Sequence, residues 1–374
     1  MSKFFIISAL VYLLMSAAIC YALIRPLPIR NIVKKSLYFL VFFCVILSVS
    51  YLPLRRTEIL PGYFEDLFAL FIGIVYVFFM FSLIADWSAR ITKIIIKSDR
   101  FSVKIRAGFS ALATLYLIYG VCAASTAPII NKITIKSDKI IAPITIAHLT
   151  DLHIGNGAAL MTSFAERIAA QTSDLNADII VITGDLFDAK LDKIKEPIAA
   201  ATKVKSKYGI YFVSGNHELF SDAIAAMDYL EELNVTTLRN ASINLKGDFG
   251  EIYIAGILDI SGKRPGAFLP DANLSLKNTK NDNFILALSH QPNGAFLYPE
   301  NSFDLMLSGH THGGQIFPFN FLVGIANDFV AGLYDIDDRR KIYVSRGVGY
   351  WGPALRMFAP NEIALITIEP IFIR

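Results

Sequence analysis

Cysteine is scarce in this chain and confined to its first third: Cys20, Cys44 and Cys122 are the only three in 374 residues. No disulfide framework and no thiolate metal site is therefore available after Cys122. An excess of charge of one sign is also missing, with 35 basic against 32 acidic side chains, so bulk electrostatics argue for no polyanionic partner. No basic stripe interleaved with aromatics occurs, and nucleic acid is not an expected partner. Internal repeats and low-complexity segments are absent. Charge is missing altogether from four runs, Phe4–Ile24, Leu37–Leu54, Leu67–Ala85 and Ala107–Ile130, which are 21, 18, 19 and 24 residues long.

A membrane-spanning helix needs about 20 apolar residues, and four such runs in so short a stretch leave little room for buried helices of a soluble protein. The first run, preceded by Lys3 and ending in small residues, also has some features of a signal peptide. Its apolar core exceeds the usual ~7–15 residues, and no clear cleavage site follows. Residues 1–130 are thus expected to form a bundle of about four transmembrane helices, and residues 131–374 a separate domain. Since no acidic or basic side chain (Asp, Glu, Lys, Arg or His) lies inside any run, anchoring is the better reading than transport.

Basic residues give an orientation. Arg25, Arg30, Lys34 and Lys35 follow the first run, and Arg90, Lys93, Lys97, Arg100, Lys104 and Arg106 follow the third. Between the second and third, Arg55 and Arg56 stand beside Glu58, Glu65 and Asp66. The positive-inside rule places the first and third connections in the cytoplasm. The expected location is the inner (cytoplasmic) membrane, multi-pass, with everything after Ile130 on the outer, periplasmic or extracellular, side. Lys132, Lys136 and Lys139 run against that contrast. The segment from Asn131 to Ile141 reads as a polar link or a first edge strand.

From Ile144 the texture changes to short β-branched runs: Ile144–Leu149, Ile179–Thr183, Tyr211–Ser214, Ile252–Ala255, Phe284–Ser289, Asp304–Ser308, Lys341–Ser345 and Ile363–Ile368. Helical periodicity appears over Ala158–Gln171 and Asp222–Leu233. Strands alternating with helices, then strands following strands, predict an α/β (α+β) fold with a mixed pair of sheets and helices outside. The stretch Ile260–Asn283 reads as a flexible insertion.

Polar signatures sit at the ends of these strands. They are Asp151-Leu152-His153, Gly184-Asp185, Gly215-Asn216-His217-Glu218, His290, and Gly309-His310-Thr311-His312-Gly313-Gly314-Gln315. Five of the six histidines occupy these loops; His148 alone lies inside a strand and reads as a core histidine. Taken singly, Asp151 suits a helix cap and Asn216 a turn. Five signatures in order, all at strand ends where ligands collect in α/β folds, point to one site. Carboxylate, amide oxygen and neutral imidazole together suit hard and borderline divalent ions. Asp185 can bridge two such ions, and a pair about 3.5–4 Å apart clamps an in-line displacement at phosphorus.

These motifs, in this order, resemble the calcineurin-like metallophosphoesterase superfamily over roughly residues 144–368. The Gly-His-Thr-His-Gly-Gly-Gln form with an apolar N-terminal anchor is similar to its membrane-anchored bacterial branch. The resemblance implies a two-sheet sandwich flanked by helices. It also implies one metal held by Asp151, His153, Asp185 and His312, and a second by Asp185, Asn216, His290 and His310. His217 matches the residue that contacts phosphate and protonates the leaving group. The implied reaction is hydrolysis of a phosphate mono- or diester by a hydroxide bridging two divalent ions; manganese, iron, zinc and nickel all suit the ligand set.

Glu218, where many relatives carry aspartate, is either an orienting group or an ordinary surface acid. Asp188 either orients a ligand or caps the following helix, and Arg346 either meets a phosphate or makes a solvated ion pair. The late cluster Tyr350, Trp351, Met357 and Phe358 fits core packing better than lipid contact. The expected partners are a phosphoester substrate, lipid-linked in one reading, and membrane lipid. Alternatives are a pyrophosphatase acting on a UDP-sugar lipid, which would need the site in the cytoplasm, and a non-catalytic membrane receptor or binding module that keeps the fold. Complete filling of the ligand positions argues against the last.

Overall fold

The computed structural model describes residues 2–57, 62–155, 158–220, 223–262 and 269–371. It divides into two compact units, residues 1–125 with 352–357, and residues 126–351 with 358–374.

The first unit is helical. Helices α1 (Ser2–Ile19), α2 (Asn31–Thr57), α3 (Gly62–Ile96) and α4 (Asp99–Ala124) are each long and apolar enough to cross a membrane. All four extend beyond the uncharged runs, α2 for example taking in Lys34, Lys35 and Arg55. Asp86, Arg90 and Lys93 lie within α3, and Arg106 lies in the first turns of α4, where sequence places them in a connection. Paired charges make this possible: Arg106 Nη2 is 2.8 Å from Asp86 Oδ1, and Arg90 Nε is 2.7 Å from Asp86 Oδ2. Arg106 Nη1 also donates to the Ala22 carbonyl at 2.6 Å, within the π-helical turn Cys20–Ile24 that continues α1. Ala22 lies in the last turn of that helix, where carbonyls have no partner within the helix and are open to an outside donor. Gly73 and Gly120 have no side chain where Leu355 and Met357 of the same unit pack; a Cβ there would lie 2.3 and 2.5 Å from them. Ile129 and Ile130, counted above in the fourth apolar run, belong instead to a strand.

The second unit contains twelve strands among its described residues. They are β1 (Ile129–Ser137), β2 (Ile144–Leu149), β3 (Ile179–Thr183), β4 (Ile210–Val213), β5 (Val235–Thr237), β6 (Ala241–Gly247), β7 (Gly250–Gly256), β8 (Phe284–Leu288), β9 (Leu305–Ser308), β10 (Gly332–Asp335), β11 (Lys341–Val344) and β12 (Glu362–Pro370). Two six-stranded sheets result, in the orders β1-β12-β2-β3-β4-β5 and β10-β11-β9-β8-β7-β6. Helices α5 (Ala158–Ser173), α6 (Leu191–Ala201) and α7 (Ala223–Glu232) carry the crossovers between the parallel strands β2, β3, β4 and β5. Short helices α8 (Ala272–Leu276) and α9 (Asn320–Ala326) belong to the connections of the second sheet. The expected two-sheet sandwich flanked by helices is therefore present. The described part of the 260–283 stretch includes α8, so it is not wholly irregular.

Strand periodicity explains the layers. Ile144 and Ile146 of β2, Ile179 and Val181 of β3, and Leu286 and Leu288 of β8 face the space between the sheets. Their alternates Ala147, Leu149, Ile180 and Ile182 pack with Ile168, Ile194, Ile198 and Leu230 of the helices. Side chains two apart on a strand share a face, so one strand fills both layers.

His148 falls on the inter-sheet face, fully buried, with Nε2 2.7 Å from Thr183 Oγ1 and its ring edge-on to Tyr343. It is a core histidine, as expected. Burial depresses its pKa to about 3 from an ordinary 6.5. A depressed imidazole stabilises the fold above pH 6.5, and that contribution is lost as pH falls toward the folded value. Between pH 7 and 5 the loss is about 2 kcal/mol. Thermal unfolding in detergent should show the wild type losing more stability over that interval than His148→Leu; equal pH slopes would contradict the assignment.

Candidate metal centre

Because β2, β3 and β4 run parallel, as do β8 and β9, their carboxyl ends deliver five loops to one rim of the sandwich. The loops are tied to one another by backbone bonds. Asp151 N–H donates to the Gly184 carbonyl at 3.1 Å, His153 N–H to that of Asp185 at 3.0 Å, and Gly309 N–H to that of His290 at 2.9 Å. His310 N–H crosses between the sheets to Asp151, 3.1 and 3.0 Å from its two carboxylate oxygens. Stacking this close demands glycine: a Cβ on Gly309 would sit 2.3 Å from Asp151 Oδ2, and one on Gly215 would sit 2.2 Å from Asp185 Oδ1. Asp151, His153, Asp185, His310 and His312 all have φ between 49° and 70°. Left-handed backbone is uncommon outside glycine and concentrates where function fixes a side chain's aim.

The expected residues gather into two adjoining clusters. In one, His153 Nε2 lies 3.0 Å from His312 Nε2, and Asp151 Oδ1 is 3.4 Å from His312 Nε2 and 3.9 Å from His153 Nε2. In the other, His290 Nε2 lies 3.1 Å from Asp185 Oδ2, 3.2 Å from Asn216 Oδ1 and 3.2 Å from His310 Nδ1. Asp185 stands between them, its Oδ2 also 3.9 Å from His153 Nε2. All but Asn216 and His310 are nearly or fully inaccessible.

The second cluster concentrates opposed charges and lone pairs. His290 Nδ1 is 2.8 Å from the Thr183 carbonyl, so its proton is committed there and Nε2 is left with a lone pair. That lone pair faces a carboxylate oxygen, an amide oxygen and another imidazole nitrogen. The arrangement is repulsive unless positive charge sits among the four atoms. Burial by itself would lower the pKa of His290, yet Asp185, Asp151 and Asp259 raise it well above 6.5. Burial would likewise raise Asp185, and His290 and His217 hold it well below the usual carboxylate range. His310, half-buried beside His290, is pushed down to about 3 and stays neutral. A divalent cation would meet the same demand for charge with a better match to the donor set, so the residues fit a metal.

Supporting side chains fix these donors. Asp188 Oδ1 lies 2.9 Å from His153 Nδ1 and 2.5 Å from His217 Nδ1, so one carboxylate orients both rings. Glu218 is fully buried, which excludes the surface-acid reading. Its carboxylate accepts backbone N–H groups from Asp185, Leu186, Phe187 and Gly215 at 2.9, 2.7, 3.2 and 2.5 Å, pinning the Asp185 turn to the Asn216 turn. Burial pushes its pKa up to about 7, against the pull of those donors. Gln315 Nε2 donates to the Trp351 carbonyl and Gln315 Oε1 accepts from the Trp351 N–H, each at 2.9 Å.

Arg346 does not make a solvated ion pair. Its Nη1 is 2.7 Å from Oε2 of the fully buried Glu362, which also accepts from Arg346 N–H and the Tyr343 hydroxyl. Its stem passes Gly313, next to His312. Thr150, Thr183 and Glu362 were not singled out by sequence, since hydroxyl or carboxyl groups without a motif carry no local signal. Asp259 was also missed; it is buried, accepts from Gln291 Nε2 at 2.9 Å and contributes to the charge on His290.

Comparison with known proteins agrees with this geometry. The family model described as calcineurin-like phosphoesterase matches residues 144–314. An uncharacterised metallophosphoesterase of Campylobacter jejuni is 32% identical over 375 residues, spanning 98% of this chain and 99% of its own. One of Helicobacter pylori strain 26695 is 32% identical over 369 residues, with 97% and 98% covered. A zebrafish transmembrane protein with metallophosphoesterase domain is 28% identical over 270 residues, 69% of this chain and 61% of its own. The chain belongs to the calcineurin-like metallophosphoesterases, hydrolases of phosphoric ester bonds.

Gly309→Ala tests the packing that shapes the site. A methyl group 2.1 Å from Thr150 Oγ1 and 2.3 Å from Asp151 Oδ2 must displace Asp151. Elemental analysis of the purified variant should show at least half of the wild-type metal lost, with unchanged circular dichroism; full metal content would show that the close approach is dispensable.

Proposed function

We propose that this protein is a membrane-anchored, two-metal phosphoesterase that hydrolyses a phosphate mono- or diester. One ion would be held by Asp151, His153, Asp185 and His312, the other by Asp185, Asn216, His290 and His310. The observation that carries this reading is the convergence of Asp185 Oδ2, Asn216 Oδ1 and His310 Nδ1 within 3.1–3.2 Å of the lone pair on His290 Nε2. Bound there, two divalent ions would supply Lewis acidity toward phosphoryl oxygens and generate a nucleophile from water at neutral pH.

The chain's own residues divide the remaining work. Asp185 keeps its charge in a buried position and so remains available to both clusters. His217, its Nδ1 committed to Asp188, presents Nε2 at the rim and is the group suited to donate a proton to the departing oxygen. Arg346, held by Glu362 beside Gly313, is the candidate contact for a substrate phosphate.

The four apolar helices support anchoring in the inner membrane. The distribution of arginine and lysine supports placing the site on the outer side. Anchoring in turn favours a lipid-linked or membrane-proximal phosphate as substrate.

Detergent-solubilised protein should be assayed against aryl monoesters, aryl diesters and lipid phosphates with the metal varied. Asp185→Asn and His310→Ala are expected to lower turnover by at least about a thousandfold, the scale of losing electrostatic stabilisation of a transition state, while expression and membrane insertion are kept. Wild-type turnover in either variant would remove the two-metal reading.

A further inference from the structure

From His312 to Asp328 the chain carries no ionisable residue, and the segment Gly313–Asn327 includes Ile316, Phe317, Phe319, Phe321, Leu322 and Ile325. A stretch of this composition ordinarily packs inside a domain. Here it does not. Helix α9 buries none of its residues; Phe321 is 65% and Ile325 82% exposed, with Leu322 beside them. Phe317 stacks edge-on against Phe321 at 5.7 Å and against Phe358 at 5.9 Å, and Phe358 is itself 70% exposed. Trp351, tied through its backbone to Gln315, is half exposed at the same part of the unit. A contiguous apolar surface of this kind marks an interaction site.

Two further observations identify what covers it. Trp351 and Phe358 flank Gly352–Met357 in the chain, and that segment belongs to the helical unit, where Leu355 and Met357 lie against Gly73 of α3 and Gly120 of α4. The apolar surface is thus covalently continuous, within one residue on either side, with the membrane-crossing part of the molecule. Its composition of phenylalanine, leucine, isoleucine and a tryptophan, without charge, is also that of side chains that settle at the boundary between headgroups and acyl chains. We infer that the surface formed by Phe317, Phe321, Leu322, Ile325, Trp351 and Phe358 inserts into the interfacial layer of the bilayer that the helices cross. Since this surface begins five residues after His312, insertion would set the catalytic rim at the lipid surface and admit phosphoesters borne on lipid. The inference rests on the membrane anchoring proposed above and is independent of the hydrolytic chemistry.

The chain has two tryptophans, Trp87 in α3 and Trp351, which makes fluorescence quenching a direct test. Full-length protein would be reconstituted in phosphatidylcholine vesicles, with or without bromine on the acyl chains. Three reporters would be compared: Trp87 alone (Trp351→Phe), Trp351 alone (Trp87→Phe), and Phe321→Trp with both native tryptophans replaced by phenylalanine. Brominated lipid is expected to remove about half or more of the emission of all three, as for side chains buried some 5–10 Å into the interface. Quenching of Trp87 with unquenched Trp351 and Phe321→Trp would overturn the inference, whether water or a second copy of the chain covers the surface. So would quenching of those two only on addition of a brominated lipid phosphate, which would mean an acyl-chain groove. Loss of quenching at Trp87 would instead remove the anchoring itself.

Discussion

Asp185 is a buried carboxylate with imidazoles on two sides, and its Oδ2 lies 3.1 Å from His290 Nε2, which carries no proton in the neutral ring because Nδ1 donates to the Thr183 carbonyl. Without positive charge nearby that contact is repulsive. A proton on His290 satisfies it in one way and a divalent cation in another, and the second also satisfies Asn216 and His310. Everything around the rim serves to keep these groups in place against their mutual repulsion. The glycines let the loops stack, the left-handed backbone aims the side chains, and Glu218 holds two turns together through four N–H groups.

The sandwich supplies the rigidity that this crowding needs. Strands β2, β3, β8 and β9 are buried on both faces, so the loops they carry start from fixed positions. A site built from strand ends in two sheets inherits the precision of the inter-sheet packing, and His310 N–H bonding to Asp151 closes the seam at the site itself. Asp188 and Glu362 extend the same logic outward. Each is a carboxylate that orients side chains of the candidate site: His153 and His217 in one case, Arg346 in the other.

The candidate site was as legible in the sequence as the fold. Each donor is a polar residue at the end of an apolar run, and that contrast is local. The strands that hold the site were equally visible, because continuous β-branched runs such as Ile144–Leu149 and Ile179–Thr183 can hardly be read otherwise. What was hidden depended on distant partners. Helix α6 carries Pro197 and four charged residues in eleven, so its buried face of Ile194, Ile198 and Ala201 was obscured. Strands β5 and β10 are only three and four residues long and exist through pairing with β4 and β11. Ile129 and Ile130 look like the tail of a spanning helix until β12 is available as a partner. Glu218 and Arg346 were ambiguous for the same reason: their roles are set by Gly215 and Glu362, and burial of a charge is a property of the assembled fold.

The account stands on a pair of cations within this ring of donors. Anomalous diffraction from crystals of the detergent-solubilised protein, collected across the absorption edge of the metal found in the preparation, addresses that directly. The account predicts two peaks about 3.5–4 Å apart, one beside His153 and His312 and one beside His290 and His310, with Asp185 between them. A fully active preparation with one peak, or with none near Asp185, would contradict it.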